Sequence, residues 1–427
     1  MLAAVLAASG LGSAQSTHTT VRHHKVADTA EPTDLSQAEA LIEKKDYAGA
    51  EPLLQRAVAA DASNYTAWFD LGFVYNALGR SQDAITAYRK SVAAKPDIFE
   101  SNLNLGLMLA KAGQPDAEQY LRAATKLKPT AQTDEGLERA WLSLGHVIEA
   151  TKPDEALEAY KQAAALQAKD PEPHLSAAAL LEKSNRYSDA LEQFRQVLTI
   201  DPGSAEALTG MANVYMRGRQ FAPAEEALKK LVELRPNDAG ARMQLARMLA
   251  AAGENDAAIA EMQAAVKLDA QDAAAQRDLA DLYRNAGKYE LAEAQYKTLL
   301  DSSPNDAELH AGLGQAYLRQ RKFADAQQEF TTAVTLKPDM GAAYGDLAIA
   351  ANETKNYPLA LKALDARAKY LPETAISYFF RATAYDHLRD YKLASENYHR
   401  FLELDKGEHY DQAWQARHRL IAIEPKK

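Results

Sequence analysis

The chain has 427 residues, no cysteine, 49 Lys plus Arg against 59 Asp plus Glu, and 47% apolar residues, enough for several globular domains. A formal charge of −10 disfavours a bulk electrostatic grip on nucleic acid, whose phosphate backbone calls for a basic face. Without cysteine there is no disulfide framework, thiolate metal site, cysteine nucleophile or lipid-modified cysteine.

Residues 1–14, Met1 to Ala14, form an uncharged apolar run ending in small residues, the pattern of the hydrophobic and cleavage regions of a secretory signal peptide. The run is too short to span a bilayer. No Lys or Arg precedes it, so two readings stand: an export signal whose start lies upstream, or an apolar tail. The expectation is export to the periplasm or the extracellular space, with the cytoplasm as the alternative. Residues 15–30 are rich in Ser, Thr and charge and lack a hydrophobic period, which reads as a disordered linker. Its His18, His23 and His24 have no rigid frame to hold a metal, so a solvated tail is preferred.

A tandem pattern occupies the rest of the chain. Trp68 to Tyr75, Trp141 to Ile148 and His310 to Tyr317 share one eight-residue arrangement at multiples of about 34 residues. Each copy continues into a second apolar stripe, as in Ala84, Tyr88, Ser91 and Pro96, or Ala326, Phe330, Ala333 and Pro338. Every copy therefore reads as two helices and a turn. One position is alanine in eleven successive copies: Ala50, Ala84, Ala117, Ala156, Ala190, Ala224, Ala258, Ala292, Ala326, Ala360 and Ala394. The first-helix position facing it is equally small, with Gly72, Gly106, Gly145 and Gly314 or alanine in the copies between. Seven copies close on proline, at Pro96, Pro129, Pro202, Pro236, Pro304, Pro338 and Pro372, where the missing N–H and the ring stop the second helix.

This pattern of Trp, Leu-Gly, Tyr, Ala, Phe, Ala and Pro over 34 residues resembles the tetratricopeptide repeat family. The resemblance implies an all-α fold, a right-handed superhelical α-solenoid of about eleven helix-turn-helix units spanning residues 31–408. Repeat starts fall near Glu31, Tyr65, Phe99, Glu138, Pro171, Ala205, Ala239, Ala273, Ala307, Gly341 and Ala375. Two repeats are one residue short and begin their second helices with Pro115-Asp116 and Pro153-Asp154. Between them Gln132 to Leu137 form an extra polar stretch, either a joint or a harmless loop extension; the loop is the preferred reading. Residues 409–427 read as a capping helix and tail, with Tyr410, Ala413, Trp414, Arg417, Leu420 and Ile421 at helical spacing. Such a cap is expected to turn a polar face to water and to pack Trp414 inward, with docking of a partner by Trp414 as the alternative.

Motifs for zinc proteases, phosphate-binding loops, nucleophile elbows and dinucleotide folds are absent from the sequence. His146, His174, His310 and His387 fall in first helices of separate repeats, which opposes a shared metal. The reading is a non-enzyme with no cofactor, no metal and no stable membrane span. By family resemblance the inner stripe of each first helix lines a partner-binding groove. That stripe holds Phe69, Phe73, Leu103, Leu107, Leu142 and Leu175 in repeats two to five and Asn213, Met216, Met243, Arg247, Arg277 and Arg284 in repeats six to eight, with Arg217 adjacent. It suits a protein or peptide with apolar anchors and an acidic or carboxylate end. Against this, Arg277 and Arg284 flank Asp281 at helical spacing and form ion pairs equally well, and the phenylalanines pack equally well on neighbouring hairpins. The positions that some co-chaperone relatives use to clamp a carboxylate with Lys and Asn hold Thr209 and Asn213, or Met243 and Arg247, which argues against that specific use. The functional expectation is an exported scaffold or adaptor acting in cell-envelope assembly or regulation. The alternatives are a regulatory or targeting subunit of a separately encoded enzyme, a cytoplasmic co-chaperone-like adaptor, and a self-associating spacer.

Overall fold

A computed structural model describes residues 33–131 and 133–424. The apolar run, the linker with its histidines and the expected start at Glu31 lie outside the described residues. Within them there are twenty-three α-helices and no strand, which gives an all-α helical repeat solenoid. They group into two compact units that meet in sequence at Gly218 and Arg219.

The first unit opens with α1 (Asp34–Glu43), α2 (Tyr47–Ala60), α3 (Tyr65–Ala77), α4 (Ser81–Ala94), α5 (Phe99–Lys111) and α6 (Ala117–Ala124). It continues with α7 (Thr133–Ile148), α8 (Pro153–Leu166), α9 (Glu172–Lys183), α10 (Tyr187–Ile200) and α11 (Ala205–Arg217). The second unit holds α12 (Phe221–Leu234), α13 (Ala239–Ala252), α14 (Asn255–Leu268), α15 (Ala273–Asn285), α16 (Tyr289–Ser302) and α17 (Ala307–Arg319). It ends with α18 (Phe323–Leu336), α19 (Gly341–Glu353), α20 (Tyr357–Arg367), α21 (Ala375–His387), α22 (Tyr391–Leu404) and α23 (Tyr410–Ile423). Each unit therefore contains five complete hairpins, and every helix packs chiefly on its sequence neighbours.

The local chemistry of each boundary is readable. Side chains of Asn64, Ser204, Asp238, Asp272, Asp306 and Thr374 accept backbone N–H groups of the helix that follows, satisfying donors that have no partner in the first turn. The turn inside a hairpin needs one residue in the left-handed region. Gly79, Gly113, Gly253 and Gly287 supply it without steric cost, Asn185 tolerates it, and Lys45, Arg321, Lys355 and Arg389 adopt it against their preference. The α7–α8 hairpin has no such residue and turns instead on the shortened segment before Pro153.

Packing within a hairpin depends on the small residues. All eleven second-helix alanines are 0% exposed. The opposing glycines receive a side chain of the second helix: a Cβ on Gly72 would lie 2.7 Å from the Tyr88 ring, and one on Gly314 would lie 2.9 Å from Phe330. Two further glycines, Gly210 and Gly312, do the same between repeats, facing Phe194 and Tyr296 of the preceding hairpin. These side chains interlock across seams with no room for an added methyl group.

Two expectations need correction. Of the stretch 132–137, residues 133–137 are not a loop extension, because α7 begins at Thr133 and they add a turn to that helix. That turn lays Gly136 over the buried Phe99 ring, and Thr130 just before it donates through N and Oγ1 to Glu100 at 2.8 and 2.5 Å. The second correction concerns the cap. Ala413, Ala416 and Leu420 of α23 pack inward and Arg419 clasps the buried Asp386 at 2.6 and 2.7 Å, but Trp414 is 54% exposed. Its indole stacks on His418 of the same helix, with ring centroids 3.9 Å apart, because the small alanines occupy the buried side.

At the start of the regular part of α7, Glu138 is 7% exposed and its Oε1 has no hydrogen-bond partner. Burial, reinforced by Asp170 and Glu172, pushes its carboxyl up to about 7. A folded-state pKa raised above the unfolded value means the native chain holds the extra proton between roughly pH 4.5 and 7, so stability falls as pH rises through that window. Glu138→Gln is therefore expected to stabilise the first unit at pH 8 by about 1–2 kcal/mol and to leave it unchanged near pH 4, as read from paired thermal melts. Gly210→Ala is expected to destabilise the same unit by about 1–3 kcal/mol through overpacking on Phe194, despite a helix-propensity gain of about 1 kcal/mol. A urea titration that finds the variant more stable than the parent refutes the seam assignment.

Candidate functional surface

The inner stripe of the first helices divides by depth. Phe69 is 4% exposed, lies 5.7 Å from the Tyr88 ring centre and packs with Leu105, Met108 and Leu109 of α5. Leu103 and Leu142 are likewise buried, in the cluster that joins Phe99, Leu121 and Tyr160. These three residues seal the seams between consecutive hairpins and are not available as anchors. A large apolar side chain beside the seam gains more by entering it than by lining an open face. Phe73 and Leu107 remain half-exposed; Phe73 meets Tyr47 edge-on at 6.0 Å, and Leu107 leans on the Leu103 and Leu142 cluster. Leu175 is half-exposed and Asn213 is exposed.

The arginines are exposed to differing degrees, and each has a carboxylate. In the first unit Arg217 of α11 reaches Glu182 of α9 at 3.4 Å. In the second, Arg247 of α13 reaches Asp278 of α15 at 2.7 Å. Arg277 of α15 pairs with Asp306 and with Glu308 of α17, the latter at 3.2 Å. Arg284 pairs with Asp281 at 3.1 Å and donates to Gln315 at 2.8 Å, and Gln315 donates in turn to Asp346 at 2.9 Å. The within-helix pair with Asp281 holds for Arg284 alone, since Arg277 turns to the next repeat. The stripe of this unit is thus a ladder of polar contacts from one first helix to the next. Its rungs have a sequence signature that the residue-by-residue reading did not use. Arg247 and Asp278, Arg277 and Glu308, Arg284 and Gln315, and Gln315 and Asp346 are all 31 residues apart, one repeat less one near-turn.

Other polar groups are held locally. On the second helices Glu293 is pushed up by burial, but hydrogen bonds from Lys297, Lys322 and Gln320 outweigh this and hold it at about 2. His146 contacts Ser176 at 2.9 Å, His174 contacts Gln193 at 2.8 Å, His310 contacts Glu329 at 2.6 Å, and His387 stacks on Tyr357 at 4.5 Å. No group of three metal-ligating side chains forms among the described residues. A cavity of about 630 Å³ between α8, α9 and α10 has a floor of Leu157, Tyr160, Ala177 and Leu181, and its Arg186 is paired with Asp154 and Asp189. Among the described residues no helix is long and apolar enough to cross a membrane.

Family models match along both units. Tetratricopeptide repeat models match residues 181–248 and residues 147–205, 277–326 and 312–370, and the middle TPR-like domain of cilia and flagella-associated protein 70 matches residues 33–167. The STIP1 homolog of Dictyostelium discoideum is 31% identical over 107 residues, which is 25% of this chain and only 19% of that protein. Among solved structures, YrrB, a TPR protein with an unusual peptide-binding site, is 23% identical with a TM-score of 0.39, covering 44% of this chain and 96% of its own. The C-terminal part of a TPR repeat-containing protein from Cytophaga hutchinsonii is 20% identical with a TM-score of 0.48, covering 59% of this chain and all of its own. The repeated hairpins with their invariant buried alanines, and the family models that match them in both units, agree: the chain belongs to the tetratricopeptide repeat family, whose arrays are scaffolds for protein interaction.

Proposed function

We propose that this protein is a non-catalytic adaptor that holds a protein or peptide partner against the inner stripes of its first helices, and that it works after export, in assembling or regulating a cell-envelope complex. The carrying observation is the character of those stripes: half-exposed apolar side chains at Phe73, Leu107 and Leu175 in the first unit, and partly exposed arginine–carboxylate rungs in the second. The rung with the most exposed arginine, Arg247 with Asp278, contributes about 0–1 kcal/mol, so an incoming carboxylate can replace Asp278 at little cost. The arginines then bind an acidic segment by exchange. Apolar anchors would supply most of the affinity. The apolar run of residues 1–14 supports export, and mass spectrometry of the native protein's N-terminus checks it, a start beyond Ala14 agreeing with cleavage.

The test is crosslinking in native cells followed by identification of what is attached. Phe73→Ser with Leu107→Ser is expected to keep the parent helicity and to reduce capture of the partner tenfold or more. Arg247→Glu, Arg277→Glu and Arg284→Glu together are expected to remove any partner held through an acidic segment. Phe69→Ser, by contrast, is expected to lower stability by about 3–5 kcal/mol, since it opens a seam. Capture that persists through both surface variants overturns the assignment of the stripes.

A further inference from the structure

The side of α23 turned away from the array carries a row of apolar groups. Tyr410, Trp414 and Ile421 are 77%, 54% and 74% exposed and lie on one side of the helix, while Ala413, Ala416 and Leu420 face the α21–α22 hairpin. This division has a counterpart in the first helices of the repeats. In α3 the buried Ala67 and Val74, seven residues apart, lie on the cluster formed with α1 and α2, as Ala413 and Leu420 lie on theirs. One residue after Ala67 the sequence runs Trp68, Leu71, Gly72 and Tyr75, and Gly72 receives the Tyr88 ring of α4. One residue after Ala413 it runs Trp414, Arg417, His418 and Ile421. Thus α23 has the register of a first helix, and its exposed row is the side on which a second helix packs in the hairpins of both units.

The two middle positions depart from that template. Arg417 stands where α3 has the buried Leu71, and His418 stands where it has Gly72. Arg417 is exposed and has no ion pair among the described residues, unlike Arg419 beside it. A cation in the middle of an apolar row asks the covering surface for a carboxylate. A second copy of this chain does not provide one, because antiparallel pairing of two such rows brings Arg417 and His418 of both copies together near the two-fold axis. We propose that this side of α23 docks an amphipathic α-helix of a partner protein, with apolar side chains against Tyr410, Trp414 and Ile421 and a carboxylate against Arg417. The site is separate from the inner stripes, so failure of one assignment leaves the other standing.

The probe is a lactam-constrained helical peptide copying Pro153–Leu166, a second helix of this chain that carries Asp154, Glu155 and Glu158 beside its docking residues Ala156, Tyr160 and Ala163. Full-length protein with Trp68→Phe and Trp141→Phe leaves Trp414 as the reporter. Titration is expected to give a saturable blue shift of its emission. The shift disappears with Ile421→Ser, and Arg417→Glu weakens binding tenfold or more. A peptide with Glu155→Lys and Glu158→Lys restores binding to the Arg417→Glu protein. Unchanged circular dichroism and melting temperature certify that the variants fold. No saturable shift overturns the proposal, as does binding indifferent to the charge at 417. A concentration-dependent dimer abolished by Trp414→Ser overturns it in favour of a second copy, and a shift obtained with phosphatidylglycerol vesicles but not with the peptide overturns it in favour of a lipid surface.

Discussion

Everything in both units depends on how closely two helices of a hairpin approach. The alanine of the second helix and the glycine or alanine of the first bring the backbones together, and an aromatic or leucine side chain such as Tyr88, Leu121 or Tyr160 then closes over the small residue. The free energy comes from dispersion and from apolar area removed from water, and both fall steeply if the helices separate by one methyl group. Because each hairpin contacts mainly its neighbours, this term recurs along the chain as a sum of local contributions and not as one central core. The inner stripe is what remains after the hairpins and their seams have taken the large apolar side chains they need.

The hairpin was legible in the sequence because its requirements recur at one spacing: the alanine at Ala50 through Ala394, and the prolines that end second helices. The seams were less legible. Whether Phe69 and Leu103 point into an open face or into the next repeat depends on the offset between hairpins, which a single repeat's pattern does not encode. For the same reason the contacts of the arginines from one repeat to the next are not visible when each helix is considered alone, where only the pairing of Arg277 and Arg284 with Asp281 suggests itself. Arg247 and Arg277 meet carboxylates 31 residues on, at Asp278 and Glu308, visible only once the offset between repeats is known. Trp414 was misplaced by a different route: an aromatic residue in a terminal helix usually supplies the buried side, but here Ala413, Ala416 and Leu420 already fill it. The insertion at 132–137 was misread because polar composition was taken for loop, whereas its Asp134 and Glu135 are first-turn residues that favour the positive end of α7.

Successive repeats are held together by two kinds of contact that respond differently to the medium. Seams closed by Phe69, Leu103 and Leu142 rely on apolar burial, which moderate salt leaves intact or strengthens. The rungs through Arg247, Arg277 and Arg284 are partly exposed ion pairs, and ionic strength screens these with a Debye length that shrinks to about 3 Å at 1 M. Both units contain both kinds of contact, with Gly210 over Phe194 and Arg217 paired to Glu182 in the first, and Gly312 over Tyr296 and Arg247 paired to Asp278 in the second. The angle between neighbouring repeats is therefore set by shape, and its compliance partly by the surrounding electrolyte. Each unit is thus a spring whose rest shape comes from packing and whose stiffness the medium can adjust.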